Sequence, residues 1–373
     1  MGRCSHGLRE GRRGEPVRDP TPLDRAGCSV LPGGAKLYYS MAFKMHVPPR
    51  GSGHIEEPRR LDKALKALKK SRLLDMLEKV DPGFQSLRVF ETVHDPLYIK
   101  GILAELEAAL DSYFIDSDTY ISPGTQAALE ALAASVEQAS EHVAEGGKAL
   151  VLGRPPGHHA GVAGPGLGAP SLGACLVNAA ASLAYRLAGR GLKVLILDFD
   201  ANHGNGTQEI LQALPMGDRL FHLDMHQDWR KSFPWTGEPG VTGDGTALNI
   251  VLPEGSGDDI VLALIEGLEP LVNESEPDAV VVSMGFDGYS GDSPLTLTKL
   301  TSHTFHALGR LASRYPVAAV LETGFGRGLE LGLPAFIAGL LGLGNPVQEE
   351  AIKSDEEVWR EFLETNKEVV EHG

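Results

Sequence analysis

The sequence predicts one doubly wound α/β domain, a buried parallel sheet with helices on both faces. Three observations carry this reading. From about residue 35 onward, short apolar runs alternate with amphipathic stretches of helical period. The runs Val194–Leu197, Val280–Val282 and Val317–Leu321 are apolar throughout and rich in β-branched residues, as strands buried on both faces must be. Glycine is abundant (45 residues) and aromatics are only 6%, a composition suited to close strand–helix–strand packing. A chain of 373 residues allows one large domain or two ordinary ones, and its 42% hydrophobic content can fill a sizeable core. No internal repeat divides it.

The elements follow in order. Residues 1–34 are rich in Arg, Gly and Pro without hydrophobic period, which predicts disorder or an extension ahead of a true start near Lys36 or Met41. Residues 35–373 form the domain. Ala35–Tyr39 is a short strand. Pro58–Val80 is a charged amphipathic helix, with Leu61, Leu65, Leu68, Leu73 and Leu77 near helical spacing. Pro96–Leu110 and Gly124–Glu145 are two further helices. Strands are expected at Lys148–Leu152, Lys193–Asp198, Leu220–Asp224, Ala247–Leu252, Ala279–Ser283 and Val317–Leu321. Helices are expected at Val177–Ala188, Gly206–Leu214, Asp259–Val272 and Thr298–Arg314. Leu329–Leu343 is apolar but broken by Glu330, Pro334 and glycines, so it reads as a buried loop and helix and not a membrane span. Ser354–Val370 is a final acidic amphipathic helix, with Ser354 and Glu357 spaced as a capping box.

The formal charge of −16 argues against a duplex nucleic-acid binder, which needs a basic face. An acidic surface suits a cationic substrate and also keeps a protein soluble. The start lacks a secretory apolar segment, and no run is long enough to span a membrane. Cys4, Cys28 and Cys175 are odd in number and lack metal spacing, which points to a reducing, cytoplasmic setting.

Chemistry-bearing residues gather after four strands. These are Arg154-Pro155-Pro156-Gly157-His158-His159, Asp198 to Gly206, Ser283 to Asp287, and Glu322 to Gly328. Ligands of parallel sheets sit beyond the carboxyl ends of the strands. A lone Asp after a strand is usually a cap, and a lone His pair usually structural. Four such loops at consecutive strand ends outweigh that reading. Asp200 and Asp287 can hold a divalent ion with open positions. Such an ion lowers the pKa of water it holds to about 7. His158 and His159 then serve as general base and general acid, and Asp198 and Asn205 are placed to orient their other ring nitrogens.

These loops resemble the metal-dependent deacetylase family of histone deacetylases, acetoin utilization proteins and acetylpolyamine amidohydrolases. Arg154 to Ala160 is similar to its Arg-Pro-Pro-Gly-His-His-Ala, Asp198 to Gln208 to its Asp-x-Asp-x-His-His-Gly-Asn-Gly-Thr-Gln, and Gly285-Phe286-Asp287 to its Gly-Phe-Asp. His46 to Leu61, Val93 to Pro96, Asp118 to Gly124, Cys175-x-x-Asn178 and Phe233 to Gly237 also have counterparts, in order from about residue 36 to about residue 343. The resemblance implies a three-layer αβα domain with a central, mostly parallel eight-stranded sheet, the arginase/deacetylase fold. It implies zinc held by Asp200, the residue at 202 and Asp287. It implies His158 and His159 as the acid–base pair, oriented by Asp198 and Asn205. It implies a structural monovalent cation such as K+, held by Asp198 and backbone carbonyls. The implied reaction hydrolyses an acylated amine, an acetyl-lysine of a protein or a small acetylpolyamine, to the free amine and the acid.

Two residues depart from the pattern. Asn202 stands where the family has a zinc-binding His, and a neutral amide oxygen is a weaker zinc donor. His203 is adjacent, but a shift onto it requires the loop to repack. Phe325 stands where most active relatives have a Tyr that stabilises the oxyanion, and losing such a donor costs about 10²–10³ in kcat. Tyr289 and Arg327 are the nearby candidates to replace it. Two functional readings stay open: a working hydrolase with altered metal or substrate, and a weakened site that binds an acylated amine or metal without efficient turnover. An arginase-like site with two manganese ions wants more Asp or His ligands than the loops around residue 202 and Asp287 supply.

Overall fold

The strands that bear the predicted site loops lie side by side. In the computed structural model, which describes residues 34–242 and 244–372, nine strands make one sheet. They are β1 (Ala35–Tyr38), β2 (Glu78–Val80), β3 (Lys148–Val151), β4 (Val194–Asp198), β5 (Leu220–Gln227), β6 (Gly240–Val241), β7 (Ala247–Leu252), β8 (Ala279–Met284) and β9 (Val317–Leu321). Their order is β2-β1-β3-β9-β8-β4-β5-β7-β6. All pairings are parallel except β6 with β7. The parallel part thus has the eight strands the resemblance implies, and the two-residue β6 adds an antiparallel ninth at the edge. The neighbours β3, β9, β8 and β4 carry the four loops, so their carboxyl ends share one rim.

The central strands β4, β8 and β9 are wholly buried, as their largely apolar composition requires. Helices α1 (Arg59–Lys70), α2 (Pro96–Ala108), α3 (Thr125–Ala144), α4 (Ala179–Ala188), α5 (Asn205–Ala213), α6 (Asp258–Ser275), α7 (Ser302–Ala312), α8 (Leu333–Leu340), α9 (Glu356–Thr365) and α10 (Lys367–His372) cover it. One group centres on α3 and α4, the other on α7 and α8 with α1 and α6. Local chemistry sets several starts. Pro96 opens α2 behind Asp95, whose carboxylate accepts from the Leu97 amide at 2.7 Å. Asn178 caps α4, its Oδ1 accepting from the Ala181 amide at 2.8 Å. Leu329–Leu343 is indeed a buried turn and helix.

Two expectations are corrected. The helix read over Pro58–Val80 ends at Lys70. Arg72 adopts φ 61°, a short turn follows, and Glu78–Val80 becomes edge strand β2 beside β1. Leu73 and Leu77 kept the helical spacing because they bury into the same core from a turn. The capping box at Ser354 does not form: its hydroxyl donates to Asp259 at 2.8 Å, and the N-cap is Asp355 without a side-chain bond. A tertiary partner outcompeted the local one. The expected disordered stretch at residues 1–34 lies, but for Gly34, outside the described residues, as do Cys4 and Cys28. Among the described residues no helix is long and apolar enough to cross a membrane.

Candidate active site

The β3 loop brings His158 and His159 together, with ring centroids 4.0 Å apart and both side chains buried. Each is fixed at Nδ1. His158 Nδ1 lies 3.1 Å from Asp198 Oδ2 at the end of β4. His159 Nδ1 lies 2.7 Å from Asn205 Oδ1 at the start of α5. The Asn205 amide nitrogen donates to the Gly166 carbonyl at 2.5 Å, so its oxygen faces the imidazole. Since an amide oxygen only accepts, His159 carries its proton on Nδ1 and leaves Nε2 as an acceptor. His158 Nε2 is buried without a hydrogen-bond partner, 3.8 Å from Asp200 Oδ1.

Electrostatics divide the two histidines. Burial opposes a charged His158, but Asp200, Asp198 and Glu322 outweigh it and hold the imidazole well above its usual range. Burial, then the neighbouring His158, push His159 well below it. Burial opposes a charged Asp198 too, yet His158 and His222 keep it well below the usual carboxylate range. Burial and then Asp287 raise Asp200; burial raises Asp287 as well. Two buried carboxylates in mutual repulsion are a setting that a cation relieves.

The three positions expected to hold a metal differ in their commitments. Asp200 Oδ2 accepts from Thr323 Oγ1 at 2.5 Å, and Asp287 Oδ1 accepts from the Ala201 amide at 3.1 Å. Gly285 leaves the space that Asp200 fills; an added Cβ would collide with the carboxylate and its backbone. Asn202 donates its amide nitrogen to the Phe233 carbonyl at 2.6 Å, which turns Oδ1 away from that bond. His203 does not take over: Thr236 and Gln208 hold its two nitrogens at 2.9 and 3.0 Å. With Asn at 202, the described His, Cys, Asp and Glu side chains give one three-donor group within 4.8 Å, and it lies one layer away, at Asp198, His222 and Asp224. Both His222 nitrogens are buried without hydrogen-bond partners, with Nε2 at 3.6 Å from Asp224 and 3.8 Å from Asp198.

Phe325 stands at the rim under the Arg60 guanidinium, 5.1 Å from its ring centroid. Asp292 accepts from the Phe325, Gly326 and Gly328 amides at 2.7–2.8 Å, and Lys63 donates to the Phe325 carbonyl at 2.5 Å. Neither nearby candidate replaces the missing hydroxyl. Tyr289 donates to Glu349 at 2.6 Å, and Arg327 lies over the Tyr289 ring.

Three residues that the sequence motifs include, but to which the sequence assigned no role, also build the site. Glu322 accepts from the Gly157 and His158 amides at 2.7 and 3.2 Å and so fixes the His-His loop. Its place at the end of β9 was the available signal. Phe233 sets its ring edge-on to His159 at 4.9 Å. Arg154 reaches from the same loop into a buried network with Glu56, at 2.5 and 2.7 Å, and with Tyr120. Arg60 shares Glu56 at 3.0 Å and donates to the carbonyls of Gly324 and Glu322 at 2.7 and 2.6 Å, tying the Phe325 loop to the β3 loop.

Residues 54–328, most of the chain, match the family described as Histone deacetylase domain. The chain is 36% identical to an uncharacterized protein of Methanocaldococcus jannaschii, covering 83% of this chain and 88% of that one. It is 33% identical to a probable deacetylase of Methanothermobacter thermautotrophicus, over 78% and 85% of the respective chains. Among solved structures it resembles an acetylpolyamine aminohydrolase of Burkholderia pseudomallei with a TM-score of 0.69 and 25% identity, over 83% and 99% of the chains. By the span of these matches and the sheet they share, the chain belongs to the histone deacetylase family.

Proposed function

We propose that this protein is a metal-dependent hydrolase that removes acetyl or related acyl groups from acylated amines. The observation that carries it is the paired imidazoles, 4.0 Å apart and each anchored at Nδ1 by Asp198 or Asn205. A structural pair of histidines would bond through both nitrogens, yet His158 Nε2 is left buried and unpartnered beside Asp200. Asp200, Asp287 and the free Oδ1 of Asn202 would hold the ion, an all-oxygen set that accepts Zn2+ or a harder divalent ion. A divalent ion there supplies Lewis-acid activation of the acyl carbonyl and of water. His159 Nε2 takes a proton from the attacking water, and the pair returns one to the leaving amine. Glu322 keeps both backbone amides of the loop fixed while this happens. A second, structural cation such as K+ at Asp198 belongs to this reading, and the donor cluster with His222 and Asp224 supports it.

The substrate is an acylated amine on a small molecule or on a protein lysine, with no nucleic-acid or membrane partner. A cytoplasmic location suits the buried free thiol of Cys175. A second reading, a weakened family member that binds without efficient turnover, is favoured by Phe325, whose ring has no hydroxyl for the oxyanion. The test is amine release from acetyl-lysine peptides and acetylated polyamines, with protein loaded separately with Zn, Fe, Mn or Co. The His158→Ala/His159→Ala double variant serves as blank. Release above the blank is expected. Metal-loaded protein no better than the blank on every compound overturns the hydrolase reading in favour of the second.

A further inference from the structure

We propose that Thr323 is a further metal-binding residue, whose hydroxyl oxygen joins Asp200 and Asp287 as a ligand and turns the site toward a hard divalent ion such as Mn2+. The ion comes from the metal-dependent reading, and the ligand from the placement of Thr323.

Thr323 lies just beyond the end of β9, in the loop that carries Phe325. Its Oγ1 donates to Asp200 Oδ2 at 2.5 Å. Its carbonyl accepts from the Phe286 amide at 3.4 Å, which ties it to the residue before Asp287. The carbonyls on either side, of Glu322 and Gly324, accept from the buried Arg60 guanidinium at 2.6 and 2.7 Å. Three consecutive carbonyls are thus bonded, and the backbone that carries the hydroxyl is fixed. A ligand is useful only when its support is held in this way.

The convergence is short of protons. A threonine hydroxyl has one hydrogen to donate, and here it goes to Asp200. The same hydroxyl reaches Asp287: burial raises that carboxyl, and Thr323 is the strongest influence opposing the rise. With both carboxylates ionised, oxygens from three loops share one hydrogen. Lone pairs that face one another in a buried site repel, and either a further proton or a cation relieves them. A hydroxyl that served only to hold Asp200 would not need to approach Asp287. The donor inventory points the same way. The described His, Cys, Asp and Glu side chains make their three-donor group elsewhere, at Asp198, His222 and Asp224. Neutral oxygens are therefore needed to fill the coordination around Asp200 and Asp287. Asn202 offers one, its amide nitrogen being spent on the Phe233 carbonyl, and Thr323 offers the next. Carboxylate, amide and hydroxyl oxygens are hard donors, which suit Mn2+ better than Zn2+.

The full chain is stripped with a chelator and titrated with Mn2+, Zn2+ and Co2+. The variants are Thr323→Val, Thr323→Ser and Thr323→Cys. Mn2+ affinity should fall about tenfold or more in Thr323→Val and stay within about threefold of the parent in Thr323→Ser. A hydroxyl that only orients Asp200 would give the same loss, so ligation is read from cobalt. A thiolate bound to Co2+ gives an intense ligand-to-metal charge-transfer band in the near ultraviolet. Thr323→Cys should show that band, absent from the cobalt-loaded parent with its buried Cys175, and should favour Zn2+ over Mn2+. Cobalt held by Thr323→Cys without the band, or equal Mn2+ affinity in parent and Thr323→Val, overturns the ligand. A parent that takes up none of the three ions overturns the ligand and the metal-dependent reading together. The expected band and affinities without amine release from any acylated compound uphold the ligand and remove the hydrolase reading alone.

Discussion

Acidification should destabilise this protein through His94, and replacing that one residue should remove a definable part of the loss. His94 is buried at the junction of the loop after the paired histidines and the start of α4. Its Nδ1 donates to the Gly161 carbonyl at 2.7 Å, and its Nε2 accepts from the Asn178 amide at 2.8 Å. A proton on Nε2 would set two donors against each other and cost the Asn178 amide its acceptor. Burial adds to this and pushes the imidazole down to about 4, from the 6.5 of an unfolded chain. Between those values the unfolded chain binds the proton and the folded chain does not. Stability from this group is therefore present above pH 6.5 and is lost as pH falls toward 4. Going from about pH 7 to about pH 4.5 removes about 2 kcal/mol through His94 alone. In His94→Gln the amide keeps one donor and one acceptor and does not titrate. Urea midpoints of both proteins across this range measure the effect, with the m-value as check on two-state behaviour. His46, also buried and pushed down to about 3, titrates in both proteins and cancels. Equal losses in parent and variant would refute the argument that His94 is held neutral.

Three further outcomes are expected. Asn202→His should raise zinc affinity on the order of tenfold or more, because an imidazole can keep the bond to the Phe233 carbonyl with one nitrogen and ligate with the other; metal analysis after dialysis that shows equal or lower affinity removes residue 202 from the ligand set. Phe325→Tyr should raise kcat, by up to about 10²–10³, since Asp292, Lys63 and Arg60 already hold that residue at the rim; steady-state kinetics without a gain would mean that another group serves the oxyanion. Glu56→Gln should cost about 3–5 kcal/mol in chemical unfolding, because it leaves the buried Arg154 and Arg60 guanidinium groups short of their carboxylate; a change under about 1 kcal/mol would mean the network is more solvated than its burial implies.

The candidate site was legible where its chemistry is local. The His158-His159 pair, the Asp198-x-Asp200 run and Asp287 each follow a buried apolar strand, so position and residue type alone flagged them. The orienting partners were legible for the same reason: Asp198 ends β4 and Asn205 opens α5, and both bond the expected histidines. The replacement of Tyr at 325 was visible as an identity, but not its consequence. Tyr289 and Arg327 are near in sequence, and only the packing shows them committed to Glu349 and to each other. Helix ends were read less well than strands. The Leu73 and Leu77 spacing continued a helix that the pairing of Glu78–Val80 with β1 cuts short.

The sequence by itself determined the alternation of elements, the buried parallel strands and the inventory of acids, bases and ligands, because hydrophobic period and functional groups are properties of neighbouring residues. Tertiary structure decided which groups are free to act. The amide of Asn202 is turned by a carbonyl 31 residues away, and Asp200 takes a hydroxyl 123 residues away. Arg154 is neutralised by a glutamate 98 residues before it. Such pairings follow from the order of the strands, which sets the loops after β1, β3, β9, β4 and β5 along one rim. A buried polar group takes whichever partner the packed sheet brings within reach, and no local pattern in the chain records which one that is.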